Sequence, residues 1–381
     1  MRPVFKKRHI IAAAVNAAAV AGALILTAAG SAAAKSQNYN YAADRWNSTG
    51  KKDYTQISCF FSEDAGFTKN SIKSVKGSLM SKLEEASITP EEGKTLIPDA
   101  YSTRAGRAEV TCDIVGRTEA EITAVGGEFF LFHEMRLLSG SYISDSDIMQ
   151  DGAVIDRQLA WLLYGSENVI GMNIYINNVK LYIAGVTDTP STDPEERCAG
   201  DTPRAYISYY AAGQIFGGGD DGYMGMSDPS ESFTKITCYE CIVPDPVENF
   251  AYSALDKQLS ETYKGHISIV NNSERFDSKK RAKALKKLDE YAVRSDDVVY
   301  PYWENASRLV EVRLSLIYGA RRLLLAIPFI TLVWLVIKAY RTFMRKKEGL
   351  KKAVGRSVSA KWRALKGGFR KKAPQTTEKD S

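Results

Sequence analysis

Two long apolar runs stand near the ends of the chain, and between them short alternating and helical patterns succeed one another. The first run, residues 10–34, carries no charge and is interrupted by Asn16, Thr27 and Ser31 alone. At roughly 1.5 Å per residue, a helix of this length crosses an apolar slab about 30 Å thick. The rival reading is a cleaved leader, because Ala32, Ala33 and Ala34 satisfy the small-residue rule at a cleavage site. The second run, LLLAIPFITLVWLVI at 323–337, is short for a span and has a rival in a buried core helix. Its flanks favour the membrane. Trp334 and Tyr340 suit the headgroup level, Lys338 can snorkel, and Pro328 is tolerated in a helix whose neighbours satisfy the freed carbonyl.

The region between reads as alternating strands and helices, an α+β pattern. Residues 35–55, polar and tyrosine-rich, are expected as a tether. A strand is predicted at 56–61. The helix NSIKSVKGSLMSKLEEA follows, with Ile72, Val75, Leu79 and Leu83 on one face and Asn70 or Ser71 as its cap. Strands follow at 107–115 and 121–125. In the stretch 151–188, Val154 and Ile155 end a short strand, and Asp156 caps a two-turn helix burying Leu159, Leu162 and Leu163. Gly165 stops that helix in the left-handed conformation, and Asn177-Asn178 turns a hairpin between Ile174 and Ile176 and a return strand at 181–186. Residues 189–202 read as loop, 204–210 as strand, 217–231 as a flexible loop and 236–243 as strand. Helices are expected at 249–263, 279–291 and 302–317. In the last, Leu309, Val312 and Leu316 form the apolar stripe, and Gly319 alone separates it from the second apolar run.

Charge sharpens this picture. The chain carries a net +6. Residues 1–9 carry +4 and residues 338–381 carry +12, so the intervening part is acidic at −10. Basic ends around an acidic middle are a topology signal rather than a nucleic-acid footprint, so no nucleic-acid partner is expected. The pattern predicts a two-pass cell-membrane protein with both termini cytoplasmic and the central domain extracellular.

Little in the chain proposes catalysis. Three histidines, His9, His133 and His266, lie far apart, and HExxH, GxSxG and GxxxxGK[ST] are all missing. Asp145 and Asp147 sit among serines at a turn, where capping is the expected role. Cys238 and Cys241 form CYEC without a second CxxC, so buried small side chains, with at most one disulfide among the five cysteines, are expected rather than zinc. Asp220, Asp221 and Asp228 lack the spacing of an EF-hand loop. No catalytic, cofactor or metal residue is assigned, and the chain is not expected to be an enzyme.

The order of motifs resembles the MacB/FtsX-like ABC transporter permeases. The residues that carry this are Phe129, Phe130, Leu138 and Gly140, then Val154, Ile155, Ala160, Leu163 and Gly165, then Ile170, Gly171 and Ile174, then Ile183, Gly185 and Val186. Ser141 stands where the family usually has arginine. PRAYISYYAAGQIFG at 203–217 resembles the family's next strand and short helix. RTFMRKKEGLKKAVGRS at 341–357 resembles its cytoplasmic coupling segment, through Glu348, Gly349, Ala353 and Gly355, one residue shorter after Glu348.

The resemblance implies an extracytoplasmic MacB-like core between two transmembrane helices, an α/β porter-type subdomain with an inserted β-rich subdomain. The expected layout is a cytoplasmic N-terminus at 1–9, a first span at 10–34 and the tether. The core follows at 56–301, with its β-rich part at 126–234, and then a stalk helix at 302–322. A second span at 323–340 and a basic cytoplasmic tail at 341–381 complete it. The family has four spans; the third and fourth are expected to be lacking here. The implied function is a permease-like subunit that binds or moves a lipid, peptide or envelope partner, driven by a separate ABC-type ATPase, with a full four-span permease as a further candidate partner. Anionic lipid at the basic tail is the other expected partner. A non-transporting surface scaffold or sensor is the alternative, and a surface enzyme or secreted protein a third.

Overall fold

In the computed structural model, residues 7–47, 54–90, 95–114, 116–190, 192–217, 233–247, 249–287 and 297–369 are described. Ten strands form one mixed sheet: β1 Tyr54–Phe61, β2 Asp99–Cys112, β3 Arg117–Gly127, β4 Leu137–Gly140, β5 Gly152–Asp156, β6 Asn173–Ile176, β7 Val179–Thr187, β8 Arg204–Ser208, β9 Cys238–Pro244 and β10 Ile267–Asn271. Their order is β10-β1-β9-β2-β3-β8-β5-β7-β4, with β6 bridging β2 and β7. The β3–β8 and β5–β7 pairs are parallel and the others antiparallel. The long β2–β3 ribbon, bulged between Arg104 and Gly106, belongs to both halves of this sheet. Strands β4 to β8, from the region expected as an inserted β-rich part, are therefore hydrogen-bonded into the same sheet as β1, β9 and β10.

Ten α-helices accompany it among the described residues: α1 Lys7–Lys35, α2 Ala42–Trp46, α3 Lys69–Glu85, α4 Phe129–Phe132, α5 Arg157–Tyr164, α6 Asp193–Ala199, α7 Tyr209–Phe216, α8 Phe250–Thr262, α9 Ser278–Ala284 and α10 Tyr302–Phe369. The stripe read in α3 is the buried one, Ile72, Val75, Leu79 and Leu83. Its cap is Thr68 rather than Asn70 or Ser71. The Thr68 hydroxyl accepts from the Ser71 backbone, and Ser71 answers the Thr68 N–H, closing a capping box two residues earlier than read. In α5, Asp156 caps Leu159 N at 2.8 Å and Gly165 closes the helix at φ 66°. The buried row there is Leu159, Ala160 and Leu163, while Leu162 is 50% exposed. The hairpin turn holds Asn177 and Asn178 at φ 46° and 65°.

Three stretches differ from the sequence reading. Residues 38–46 are folded rather than a free tether: a 3-10 turn and α2 bury Asn40, Ala42 and Ala43, and Ala42 N donates to Gln56 Oε1 at 2.9 Å. Residues 193–199, within the stretch 189–202 read as loop, form α6, where Thr192 and Glu195 make a reciprocal capping box and Pro194 is harmless in the first turn. The strand expected over 204–210 stops at Ser208, whose hydroxyl accepts from Ala211 N and starts α7. The loop expected at 217–231 beyond Gly217, with Asp220, Asp221 and Asp228, the last residues of the helix expected at 279–291, and the extreme termini lie outside the described residues.

The chain divides into two units, residues 27–319 and residues 1–26 with 320–381. In the second unit, α1 and α10 meet through small residues. Ala19 and Ala23 are buried, and a Cβ at Gly22 would lie 3.1 Å from Leu324 Cδ1. The apolar window of α10 is not buried in protein, unlike that of a core helix, and both helices are long and apolar enough to cross a membrane. Lys338 lies 4.8 Å over the Trp334 ring, as an interfacial anchor does.

Gly140 illustrates how backbone geometry fixes the motif residues. Its φ is 76°, and a Cβ there would meet the Ala184 carbonyl oxygen at 2.1 Å. Gly66 has a similar φ of 68° with nothing within 4 Å. Replacing Gly66 with alanine is therefore expected to cost about 1 kcal/mol, and Gly140→Ala at least about 2 kcal/mol more. Urea unfolding of the two variants, compared at equal slope, tests this; equal losses would reject the steric assignment.

Candidate functional site

The first five turns of α10 are held by charge. The apolar stripe read at Leu309, Val312 and Leu316 is not the packed face, since Leu316 is 53% exposed. The buried row is Ala306, Val310, Leu314 and Tyr318, accompanied by the polar Glu304, Ser307, Glu311 and Ser315. Polar residues occupy that row because Arg275, in the turn after β10, faces them. Its Nη1 and Nη2 donate to Glu304 Oε2 and Oε1 at 2.7 and 2.8 Å, a bidentate pair, and its Nε donates to Glu311 Oε1 at 2.6 Å. The three side chains are 2, 2 and 9% exposed. Arg281 adds a contact to Glu311 at 3.0 Å, and Arg308 Nε bonds Glu304 Oε1 at 2.7 Å while its guanidinium lies 3.6 Å from the centre of the Tyr300 ring. Burial works against the charged Arg275, but Glu304 and Glu311 outweigh it and hold its pKa above the ordinary arginine value. It is a permanent cation.

From this clasp a buried polar chain runs back into the sheet. Ser307 Oγ donates to Asn40 Oδ1 at 2.8 Å, and Asn40 Nδ2 donates to Asn272 Oδ1 at 2.8 Å. Asn272 Nδ2 donates to Ser58 Oγ at 2.7 Å, and Ser58 Oγ donates to Glu240 Oε1 at 2.6 Å. Glu240 Oε2 lies 3.0 Å from His133 Nε2, while His133 Nδ1 faces the Phe129 carbonyl at 3.2 Å. Oxygens thus stand opposite both ring nitrogens. The ring is enclosed by Phe129 at 4.3 Å and Trp303 at 4.6 Å between centroids. Burial alone raises the Glu240 carboxyl, but His133 beside it, with hydrogen bonds from His133, Ser58 and Gln56, holds it below the usual glutamate value. The chain thus ties α4, β9, β1, the 38–41 turn, the 272–275 turn and α10 into one unit. No member of the chain is arranged as a nucleophile with its base.

The residues singled out by sequence lie elsewhere. Asp145 accepts from Gly127 N and Tyr101 Oη, and Asp147 from Ser144 N, so both shape a turn. Cys238 and Cys241 are buried on β9, and all five thiols are free. Glu348 and Gly349 are exposed on α10, and Ala353 and Gly355 fall within the same helix. The clasp was missed because one partner, Arg275, has no local signal. Its other half had one: Glu304, Ser307, Glu311 and Ser315 recur at spacings of three and four beside apolar positions.

Comparison with known proteins gives this geometry its context. The family model described as MacB-like periplasmic core domain matches residues 12–236. The macrolide export ATP-binding/permease protein MacB of Pasteurella multocida (strain Pm70) is 31% identical over 78 residues, which cover 20% of this chain and 12% of that protein. The periplasmic region of MacB from Actinobacillus actinomycetemcomitans aligns with a TM-score of 0.38 at 13% identity, covering 62% of this chain and 92% of that one. The extracellular domain of the noncanonic ABC-type transporter YknZ from Gram-positive bacteria gives 0.36 at 12% identity, covering 57% and 100%.

Two measurements probe the clasp. Arg275→Met strips both buried carboxylates of their main partner, leaving Glu304 only Arg308 and Glu311 only Arg281, and is expected to cost about 3–5 kcal/mol, whereas Arg275→Met/Glu304→Leu/Glu311→Leu is expected to be more stable than the single variant. A triple variant weaker than the single one would remove the charge-pairing account. The second concerns acid. Because the folded Glu240 pKa is depressed, its contribution is complete above the ordinary value of 4.5 and is lost as pH falls through the lower folded value. Glu240→Gln is therefore expected to be less stable at pH 7 and to show a shallower stability loss between about pH 5 and pH 3. Identical pH slopes in the two proteins would contradict the pairing.

Proposed function

This chain belongs to the MacB-like periplasmic core domain family of ABC transporter permeases, and from that membership we propose that it is a membrane-anchored permease-like subunit driven by a separate ATPase. The reading goes on to place both termini in the cytoplasm, residues 10–34 and 323–340 in the membrane, and the sheet domain outside. In this arrangement residues 341–357, with Glu348, Gly349, Ala353 and Gly355, receive the ATPase, and residues 302–322 form a stalk to the outer domain. That domain binds or displaces a lipid, peptide or envelope partner.

The observation that carries the reading is the clasp. One helix, α10, contains Glu304 and Glu311, the second apolar run and the coupling-like segment. A buried bidentate ion pair resists axial sliding of its helix far better than an apolar stripe, because displacement strands charge in a low-dielectric interior. Such a root is what transmission of force along a helix requires. The acidic middle and the basic residues after the second run support the topology. The +12 of residues 338–381 favours a second reading, a scaffold whose tail holds anionic lipid at roughly 1 kcal/mol per basic residue.

Two experiments separate the readings. Deleting residues 348–355 while keeping the tail charge is expected to abolish crosslinking to an ATPase, with membrane association unchanged. A wild-type chain that captures no ATPase under crosslinking, and a deletion without phenotype, would leave the scaffold. Protease added to intact cells is expected to spare the C-terminal forty residues; their digestion would refute the orientation.

A further inference from the structure

A cavity of about 190 Å³ opens beside the start of α10, walled by residues 36–39, α6 and the first residue of β8. That residue, Arg204, is 3% exposed. Its Nη2 donates to the Ala199 carbonyl, and its guanidinium lies 5.0 Å from the centre of the Tyr302 ring. Its Nε is buried and has no partner among the described residues. A buried guanidinium N–H without an acceptor is costly, and native sites fill such positions with an oxygen. The neighbouring Asp156 does not fill it, because its two oxygens accept from Leu159 N and Arg204 N at 2.8 and 3.0 Å.

A second group in the same cavity has the opposite sign. Glu195 is 7% exposed, and one oxygen, Oε2, accepts from Thr192 N at 3.3 Å. The other rim carboxylates are already engaged, Asp188 by Arg157 at 3.0 Å and Glu134 by Arg45 at 3.5 Å. Tyr39, Tyr206 and Tyr302 line the same cavity, with the Tyr206 and Tyr302 hydroxyl oxygens 3.4 Å apart. A lone anion would meet more acids than bases here, and a lone cation would leave Arg204 Nε unmet. The volume equals that of about six water molecules, enough for a handful of heavy atoms.

We propose that this cavity binds a small free α-amino acid, its carboxylate on Arg204 Nε and its ammonium on Glu195. The ligand would join residues 36–39, α6 and α10 at Tyr302, so its occupancy would stiffen the root of α10. The proposal stands apart from the transporter reading, because it requires no ATPase.

The test uses the full chain in detergent, with glycine, L-alanine and L-serine as probes and thermal unfolding as readout. At saturation at least one is expected to raise Tm by about 2–4 °C. Alaninamide and propionate, which each lack one charge, are expected to give no shift at the same concentration. Glu195→Gln keeps the capping box, because glutamine also serves at that position, and is expected to weaken binding at least tenfold with the unliganded Tm preserved. Arg204→Lys is expected to do the same; should it fail to fold, Glu195→Gln alone decides. No shift with any of the three amino acids, an equal shift with propionate or alaninamide, or unchanged affinity in Glu195→Gln would each overturn the assignment.

Discussion

Arg275 sets the terms for the rest of the outer domain. A guanidinium with 2% of its side chain exposed must be matched in place, and Glu304 and Glu311 do so from one face of α10. Their spacing of seven residues, two helical turns, fixes both rotation and height of the helix against the turn at 272–275. The apolar row Ala306, Val310 and Leu314 adds burial, but burial is non-directional and would tolerate a shift by a turn. Charge supplies the specificity that packing lacks.

The polar chain behind the clasp extends that constraint into the sheet. Asn40, Asn272 and Ser58 each have a side chain hydrogen-bonded at both ends, and each bond is internal, so no member can leave without stranding the next. The chain ends where the buried Glu240 carboxylate on β9 meets the His133 ring after α4. β9 lies between β1 and β2, and the β2–β3 ribbon joins that half of the sheet to β8, β5 and β7. A displacement of α10 is thus felt first by the turn at 272–275 and β1, and then by the rest of the sheet.

Local chemistry made much of the fold legible. The α3 stripe, the Asp156 cap, the Gly165 stop and the Asn177-Asn178 turn each depend on residues within a few positions of one another, and all four stand where the pattern put them. The misread elements also have local causes: the Thr192–Glu195 capping box starts a helix within the stretch read as loop, and Ser208 began a helix inside a β-branched and aromatic run. The clasp was a different matter. Arg275 and Glu311 are thirty-six residues apart, and a helical stripe chosen by hydrophobicity alone points Leu316 inward and Glu311 outward. Only the fold reveals that a partner waits on the polar side.

The same reasoning explains why small residues recur where α1 meets α10. Where lipid tails are as apolar as the side chains, no hydrophobic gain pulls two helices together, and close van der Waals approach must do so. Within the outer unit, Gly30 lies against Tyr318, whose ring would sit 2.8 Å from an added Cβ, and Ala34 is buried beside Val310 and Leu314. Tyr318 also ends the row that begins beside Glu304, two turns beyond Glu311. The clasp therefore fixes the root of α10 by charge, and Gly30 keeps its next turns close to α1 by leaving no side chain in the way. A larger residue at Gly30 would push on Tyr318 and so on the helix that Arg275 holds.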